Sequence, residues 1–249
     1  MINKNTLFAE DISFSFITNG NRLSWQDFNF KIKQGEIVSI IGSSGIGKTT
    51  LLRVLSGLHN CESGKVYIDD PINIVQQPDS PIFIVFQEYN LTLLPWLTIE
   101  DNINLGLHKS SDHEKPEINK TLNILFSNNV DFNKLLKSYP DQLSGGQKQR
   151  IQIARALISD SKFIFFDEPD TGIDYKNKLN LRKTIRLLAT DQEKGIVLIT
   201  HDLENAFELS DRFYLIHKIN GIGKIELIEL NKSNFLDIDI FREKVLNYI

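Results

Sequence analysis

The stretch Gly42-Ser43-Ser44-Gly45-Ile46-Gly47-Lys48-Thr49 restricts the possible folds of this chain more than any other. An apolar run, Ile37–Ile41, leads into it, and Thr50–Leu58 has the spacing of a helix. Glycines let the backbone turn inward, so that successive N–H groups face one anion. A helix starting at the same place adds the positive end of its dipole. Strand, glycine-rich turn and helix in this order make a cradle for phosphates. Lys48 is expected to reach the β- and γ-phosphates of a nucleoside triphosphate, and the Thr49 hydroxyl to ligate Mg²⁺. The expected contacts are Gly42, Ser43, Ser44, Gly45, Ile46, Gly47, Lys48, Thr49 and Thr50. Such a loop requires an α/β fold around it.

The remaining sequence supplies one. Ile37–Ile41, Ile82–Phe86, Phe163–Phe166 and Ile196–Ile199 are short and apolar throughout, as strands buried on both faces of a parallel sheet are. Phe8, Ile12, Phe14 and Phe16 fall at even positions, as do Phe28, Phe30 and Ile32. With Val66 and Ile68 after the Glu62-Ser63-Gly64 turn, they predict a small antiparallel sheet near the N-terminus. Between Phe86 and Phe163, helical spacing in Glu100–Leu107, in Glu117–Phe126 and at Ile151, Ala154 and Ile158 predicts an inserted α-helical region, with Ser110–Pro116 as its exposed loop. After about Asn220 a weak alternation through Ile225, Leu227 and Leu230 precedes a short helix over Asp239–Asn247. The expected organisation is one domain. Residues 1–87 and 161–219 form the nucleotide-binding core with its β subdomain, 88–160 a helical subdomain, and 220–249 a short C-terminal extension.

With 249 residues, 41% hydrophobic and 24% charged, the chain can bury a sizeable core. A formal net charge of -4 provides no global basic field, so nucleic acid is not an expected partner. Cys61 is the one cysteine, which excludes an intrachain disulfide or a thiolate cluster and reads as an incidental residue near the surface. Glu10 and Asp11 interrupt any early apolar run, and no run approaches the roughly 18 residues of a membrane span. A soluble or peripheral chain in the cytoplasm is expected.

Two further motifs extend the phosphate loop. Phe163-Ile164-Phe165-Phe166-Asp167-Glu168 is an apolar strand ending in two carboxylates. Asp167 is placed to hold Mg²⁺ through its coordinated water, and Glu168 to orient or deprotonate the attacking water. Leu143-Ser144-Gly145-Gly146-Gln147 opens an amphipathic helix with small residues, a hydroxyl and unpaired N–H groups, which makes a second anion site. One nucleotide does not need two such sites in one chain. The economical reading is that Ser144, Gly145, Gly146 and Gln147 serve the nucleotide of a partner subunit.

With these motifs in this order, the chain resembles the ATP-binding cassette (ABC) ATPases from Phe8 to about Ile219. The resemblance implies a P-loop NTPase core of RecA-like type with an N-terminal antiparallel β subdomain and an inserted α-helical subdomain. It also implies ATP and Mg²⁺ as ligands, and a head-to-tail homodimer with two ATP molecules between phosphate loop and signature. Phe16 resembles the aromatic residue that stacks on adenine. Gln87 resembles the glutamine that senses Mg²⁺ and the attacking water. Asp174 matches the loop residue that contacts the facing subunit, and His201 the switch histidine on the γ-phosphate. Three positions depart from the pattern: Asp170 stands where an apolar residue is usual, Gly172 where alanine is usual, and Ile46 where a small residue is common.

Two function classes follow from the resemblance. One is the energising subunit of a membrane importer, bound peripherally at the cytoplasmic face of the membrane to a separate permease and served indirectly by a solute-binding protein. The other is a soluble ABC ATPase of translation or DNA repair. Members of that second class carry two cassettes or long coiled coils, so a single cassette of this size fits the importer better. Leu93-Leu94-Pro95-Trp96-Leu97-Thr98 resembles the ATPases of nitrate, sulfonate and taurine importers and of related pyrimidine-precursor importers, and Trp96 is expected to face the permease.

Overall fold

The computed structural model describes residues 4–18, 20–72, 75, 80–87, 92–107, 118, 121–123, 125, 126, 130–171, 175–218, 224–234 and 237–247. Ser110–Pro116, Gly172, Ile173 and Asp174 lie outside them. Among the described residues nine strands form one sheet: β1 (Thr6–Thr18), β2 (Asn21–Lys33), β3 (Ile37–Gly42), β4 (Ser63–Ile68), β5 (Ile82–Val85), β6 (Phe163–Asp167), β7 (Gly195–Thr200), β8 (Arg212–Lys218) and β9 (Lys224–Asn231). The helices are α1 (Lys48–Leu55), α2 (Ile99–Asn104), α3 (Phe132–Lys137), α4 (Gly145–Ile158), α5 (Tyr175–Thr190), α6 (Leu203–Leu209) and α7 (Ile238–Leu246). The sheet order is β4-β1-β2-β9-β8-β3-β7-β6-β5.

The parallel half runs through β8, β3, β7, β6 and β5. Its strands alternate between two cores. Val38, Ile40, Phe163, Phe165, Val197 and Ile199 face a cluster that includes the antiparallel strands and α1. Ile37, Ile164, Phe166, Ile196 and Leu198 face a second cluster with α2, α4 and α5. Both faces are covered, which is why these runs show no polar alternation. β9 closes the seam, antiparallel to β8 and parallel to β2 at Ser24↔Lys224 and Trp25↔Ile225. Part of the stretch after residue 220 therefore belongs to the main sheet.

The antiparallel half departs from strict period two. Ile12, Phe14, Phe28, Phe30 and Ile32 are buried as expected, but so are Leu7, Ala9, Leu23 and Trp25, while Phe8 is only half-buried. The phase flips at register shifts between Ala9 and Ile12 and beside Asp27, where Asp11 and Asp27 both take φ of 51°. An extra residue at a bulge moves every later side chain to the other face. Ser63 and Gly64 open β4 rather than forming a separate turn, and α1 starts at Lys48, two residues earlier than its apolar spacing indicates.

Candidate nucleotide site

The phosphate loop leaves the carboxyl end of β3, Asp167 ends β6, and His201 and Gln87 follow β7 and β5. All lie at the carboxyl ends of parallel strands, the edge where open α/β sheets place their ligands. In the loop, Ser43, Ser44 and Gly45 are exposed, whereas Ile46 is buried in the core and anchors the turn from below. Gly47 caps α1 with φ of 101°, a left-handed conformation that strains other residues, and the Phe16 ring packs directly against it. Phe16 is thus brought to the loop, half-buried beside Gly47.

The Lys48 ammonium is buried. It donates to Gly42 O at 2.8 Å and Ser43 O at 3.2 Å and lies 3.8 Å from Glu168 Oε1. Burial lowers its pKa, and the charges of Glu168 and Asp167 oppose that shift. Thr49 Oγ1 donates to Asp167 Oδ2 at 2.9 Å. Burial raises the Asp167 carboxyl against the Thr49 hydrogen bond, with Glu168 adding to the rise and Lys48 and Arg53 opposing it.

Glu168 takes a left-handed φ of 46° and is fixed by its N–H donating to Ile199 O at 2.9 Å. Its Oε2 accepts from Thr171 Oγ1 at 3.4 Å and stands 3.2 Å from His201 Nδ1. His201 is otherwise exposed, with 65% of its side chain accessible. Lys48, Glu168 and His201 therefore form a chain of contacts across three strand ends. Thr50 is half-buried in the first turn of α1, and Gln87 is exposed just beyond β5. A hard hydroxyl oxygen beside a carboxylate suits Mg²⁺, which is commonly held by one or two protein oxygens with phosphates and water completing the shell. Thr49 and Asp167 fit that donor set.

Ser144–Gln147 form a separate structure. Ser144 is the N-cap of α4, its Oγ accepting from Gln147 N at 3.4 Å while Gln147 Oε1 accepts from Ser144 N at 2.9 Å. This capping box settles two backbone donors, and the N–H groups of Gly145 and Gly146 open the helix beyond it. Ser144 and Gly146 add little bulk at this surface: a methyl on Gly146 would meet only Arg150, at 4.0 Å.

Several polar residues on the inner face of α4 escape a reading of apolar spacing. Gln149 donates to Pro169 O. With its amide oriented to satisfy its neighbours, Gln152 donates to Phe86 O at 3.2 Å and accepts from Phe86 N at 2.9 Å and Thr92 Oγ1 at 3.2 Å. Arg155 donates to Asn102 O at 2.8 Å, Thr92 O at 2.9 Å and Asn102 Oδ1 at 3.0 Å. Burial lowers its pKa to about 10. The signal for this set is its spacing of three, at 149, 152 and 155, on one helical stripe. Asn102 also binds Leu94 N and O, Leu97 O and Thr98 O, so the Leu94–Thr98 segment is held from within. Trp96 projects from that segment with 70% exposure.

A family model described as ABC transporter matches residues 25–171. The chain belongs to the ABC transporter family. It is 34% identical to the sulfate/thiosulfate import ATP-binding protein CysA of Halalkalibacterium halodurans, over 96% of this chain and 69% of that one. It is also 34% identical to the thiamine import ATP-binding protein ThiQ of Photobacterium profundum, over 80% of each. The cassette superposes on the dimeric structure of a post-hydrolysis state of the ATP-binding cassette MJ0796 bound to ADP and Pi. That match has a TM-score of 0.74 and 28% identity, and covers 92% of this chain and 100% of the other. The fold is that of an ABC ATPase, and the cassette is an ATP-binding, ATP-hydrolysing enzyme. Among the described residues no helix is long and apolar enough to cross a membrane.

Proposed function

We propose that this cassette powers an importer by closing on ATP as a pair of identical chains. The supporting observation is the contrast between the interlocked Lys48–Glu168–His201 group and the Ser144 helix start, whose bonds are local. In this reading the Gly42–Thr50 loop holds the phosphates and Phe16 lies against adenine. Lys48 neutralises the β- and γ-phosphates, and His201 contacts the γ-phosphate. Glu168 orients the attacking water and takes its proton, aided by the 3.2 Å approach of His201. Thr49, Asp167 and Gln87 hold Mg²⁺, which when bound supplies electrostatic stabilisation to the phosphoryl oxygens. Ser144, Gly145, Gly146, Gln147 and Asp174 of a second copy complete the site.

The relatives named for import support the transport reading, in which the cassette sits at the cytoplasmic face of the membrane, peripherally bound to a permease and served indirectly by a solute-binding protein. Residues 1–87 and 161–219 then form the ATP-binding core with its β subdomain, 88–160 the helical subdomain that carries the Ser144–Gln147 motif, and 220–249 a C-terminal extension that includes β9. The exposed Trp96, on its internally braced segment, is the element offered to the permease. A solute of the nitrate, sulfonate or taurine kind, or a related pyrimidine precursor, rests on the Leu93–Thr98 resemblance alone. The import relatives are named for different cargoes, sulfate/thiosulfate and thiamine, so likeness to them selects no single solute.

Glu168→Gln tests the mechanism. It is expected to bind ATP, to lose turnover by at least about 100-fold, and to accumulate as an ATP-bound dimer in size-exclusion chromatography. A variant that stayed monomeric with ATP would remove Glu168 from the role of base. Co-purification with an integral membrane permease, rather than with ribosomes or DNA, tests the importer assignment.

A further inference from the structure

A buried charged network lies one step behind the candidate hydrolytic pair. Asp170 is 3% exposed, and a carboxylate so enclosed requires partners. Its Oδ2 accepts from Asn205 Nδ2 at 3.2 Å and stands 3.6 Å from Lys178 Nζ. The same ammonium, on α5, donates to Asp202 Oδ2 at 3.3 Å. Asp202 is the N-cap of α6: its Oδ1 accepts from Asn205 N at 3.0 Å, and its own N–H donates to Thr200 Oγ1 at 3.0 Å. Arg182, one turn further along α5, donates to Asn205 Oδ1 at 2.9 Å and pairs with Glu208. Asn205, itself buried, is thereby bonded through both ends of its amide.

Asp170 follows Glu168 by two residues, and Asp202 follows His201 directly. One ammonium therefore joins the two backbone segments that carry the Glu168 carboxylate and the His201 ring. We propose that Lys178 is a positioning residue that ties these segments together and holds Glu168 and His201 in register for ATP hydrolysis. The inference rests on the roles given to Glu168 and His201 above. A lysine suits the task because its compact charge and three donors can serve two carboxylates at once. Burial alone would raise the Asp202 carboxyl, but the Asn205 N–H and the Lys178 ammonium together hold it below its ordinary value. Lys178 touches neither Glu168 nor His201 in these contacts, and its influence passes through the chain.

Two variants of the full-length chain test the tether. Lys178→Met removes the ammonium. Asp202→Asn removes one anion while keeping an equally good helix cap, so it remains informative even if Lys178→Met folds poorly. Expected are falls in kcat for ATP hydrolysis of about tenfold and about threefold respectively, with KM for ATP within about twofold of the parent. Lys178→Arg, which keeps the charge, is expected to retain at least about half of kcat. Unchanged kcat in both Lys178→Met and Asp202→Asn overturns the proposal, as does a rise in KM matching the fall in kcat. His201→Ala is assayed alongside. Full turnover there would dismiss the role of His201 itself, whereas loss of turnover there with full activity in the two tether variants would dismiss only Lys178.

Discussion

The phosphate loop and the start of α4 are both glycine-rich helix beginnings, and they are built in opposite ways. Around the loop, Ile46 reaches the core, Phe16 lies on Gly47, and the buried Lys48 and Asp167 meet residues from other strand ends. At α4, Ser144 and Gln147 bond to each other, and a methyl on Gly146 would meet only Arg150. The first region is finished within the chain. The second is held in shape but presented outward. A helix start that satisfies its own cap and leaves its surface open is suited to receive an anion carried by another molecule.

The largest expected effect separates the two regions by binding. Lys48→Ala should lose both nucleotide affinity and turnover, whereas Ser144→Arg should keep ATP binding in a fluorescent-nucleotide titration and lose turnover by about 100-fold. Loss of binding in Ser144→Arg would break the comparison and make both regions one site in one chain. The glycines give a smaller contrast. Gly47→Ala places a methyl against the Phe16 ring at φ of 101° and should weaken ATP binding by about tenfold, while Gly146→Ala should leave binding unchanged and cost turnover only about threefold.

The smallest effect compares two buried lysines. Lys48 faces carboxylates, but Lys194 donates to Ser159 O at 2.6 Å and Ser161 O at 2.7 Å, and burial lowers its pKa to about 8 against a weaker pull from Asp160. Below that value the folded and unfolded chains both keep the proton, and the cost of burying the charge is complete. Between about 8 and 10.5 the folded chain sheds the proton first, so this group's contribution to stability rises with pH. The melting-temperature difference between the parent and Lys194→Met should therefore shift toward the parent by about 2–5 °C from pH 7.5 to 9.5. A shift in the opposite direction would contradict the lowered pKa.

What could be read from the sequence followed its physical signals. The runs at Ile37, Phe163 and Ile196 were legible because burial on both faces leaves apolar residues at nearly every position, Ser39 being the exception. β8 was not, because Arg212 opens it and His217 sits near its end. The bulges at Asp11 and Asp27 were hidden because Phe8, although only half-buried, continues the even spacing of Ile12 and Phe14 and masks the change of phase from Leu7 and Ala9. Within the site, the phosphate loop and the Asp167-Glu168 strand end stood out as motifs. The Lys178 network did not, since it joins three separate segments, at Asp170, at Lys178 and Arg182, and at Asp202 and Asn205, with bonds that span up to 35 residues. Asp170 was visible as a departure from the family pattern, but its partners could be found only in three dimensions. Gln149, Gln152 and Arg155 were concealed because polar side chains at core positions look like a solvated face until their acceptors are known.

Helix α4 carries one more consequence. Its 14 residues make a rod of about 20 Å. One end displays the Ser144 turn. Further along, Gln152 grips both backbone groups of Phe86, and Arg155 grips Thr92 and Asn102. The same continuous helix carries both fittings, so it links the Ser144 turn directly to the base of the segment that bears Trp96. Under the proposed function the helix would serve as a push-rod, with a phosphate at its input and an exposed indole at its output.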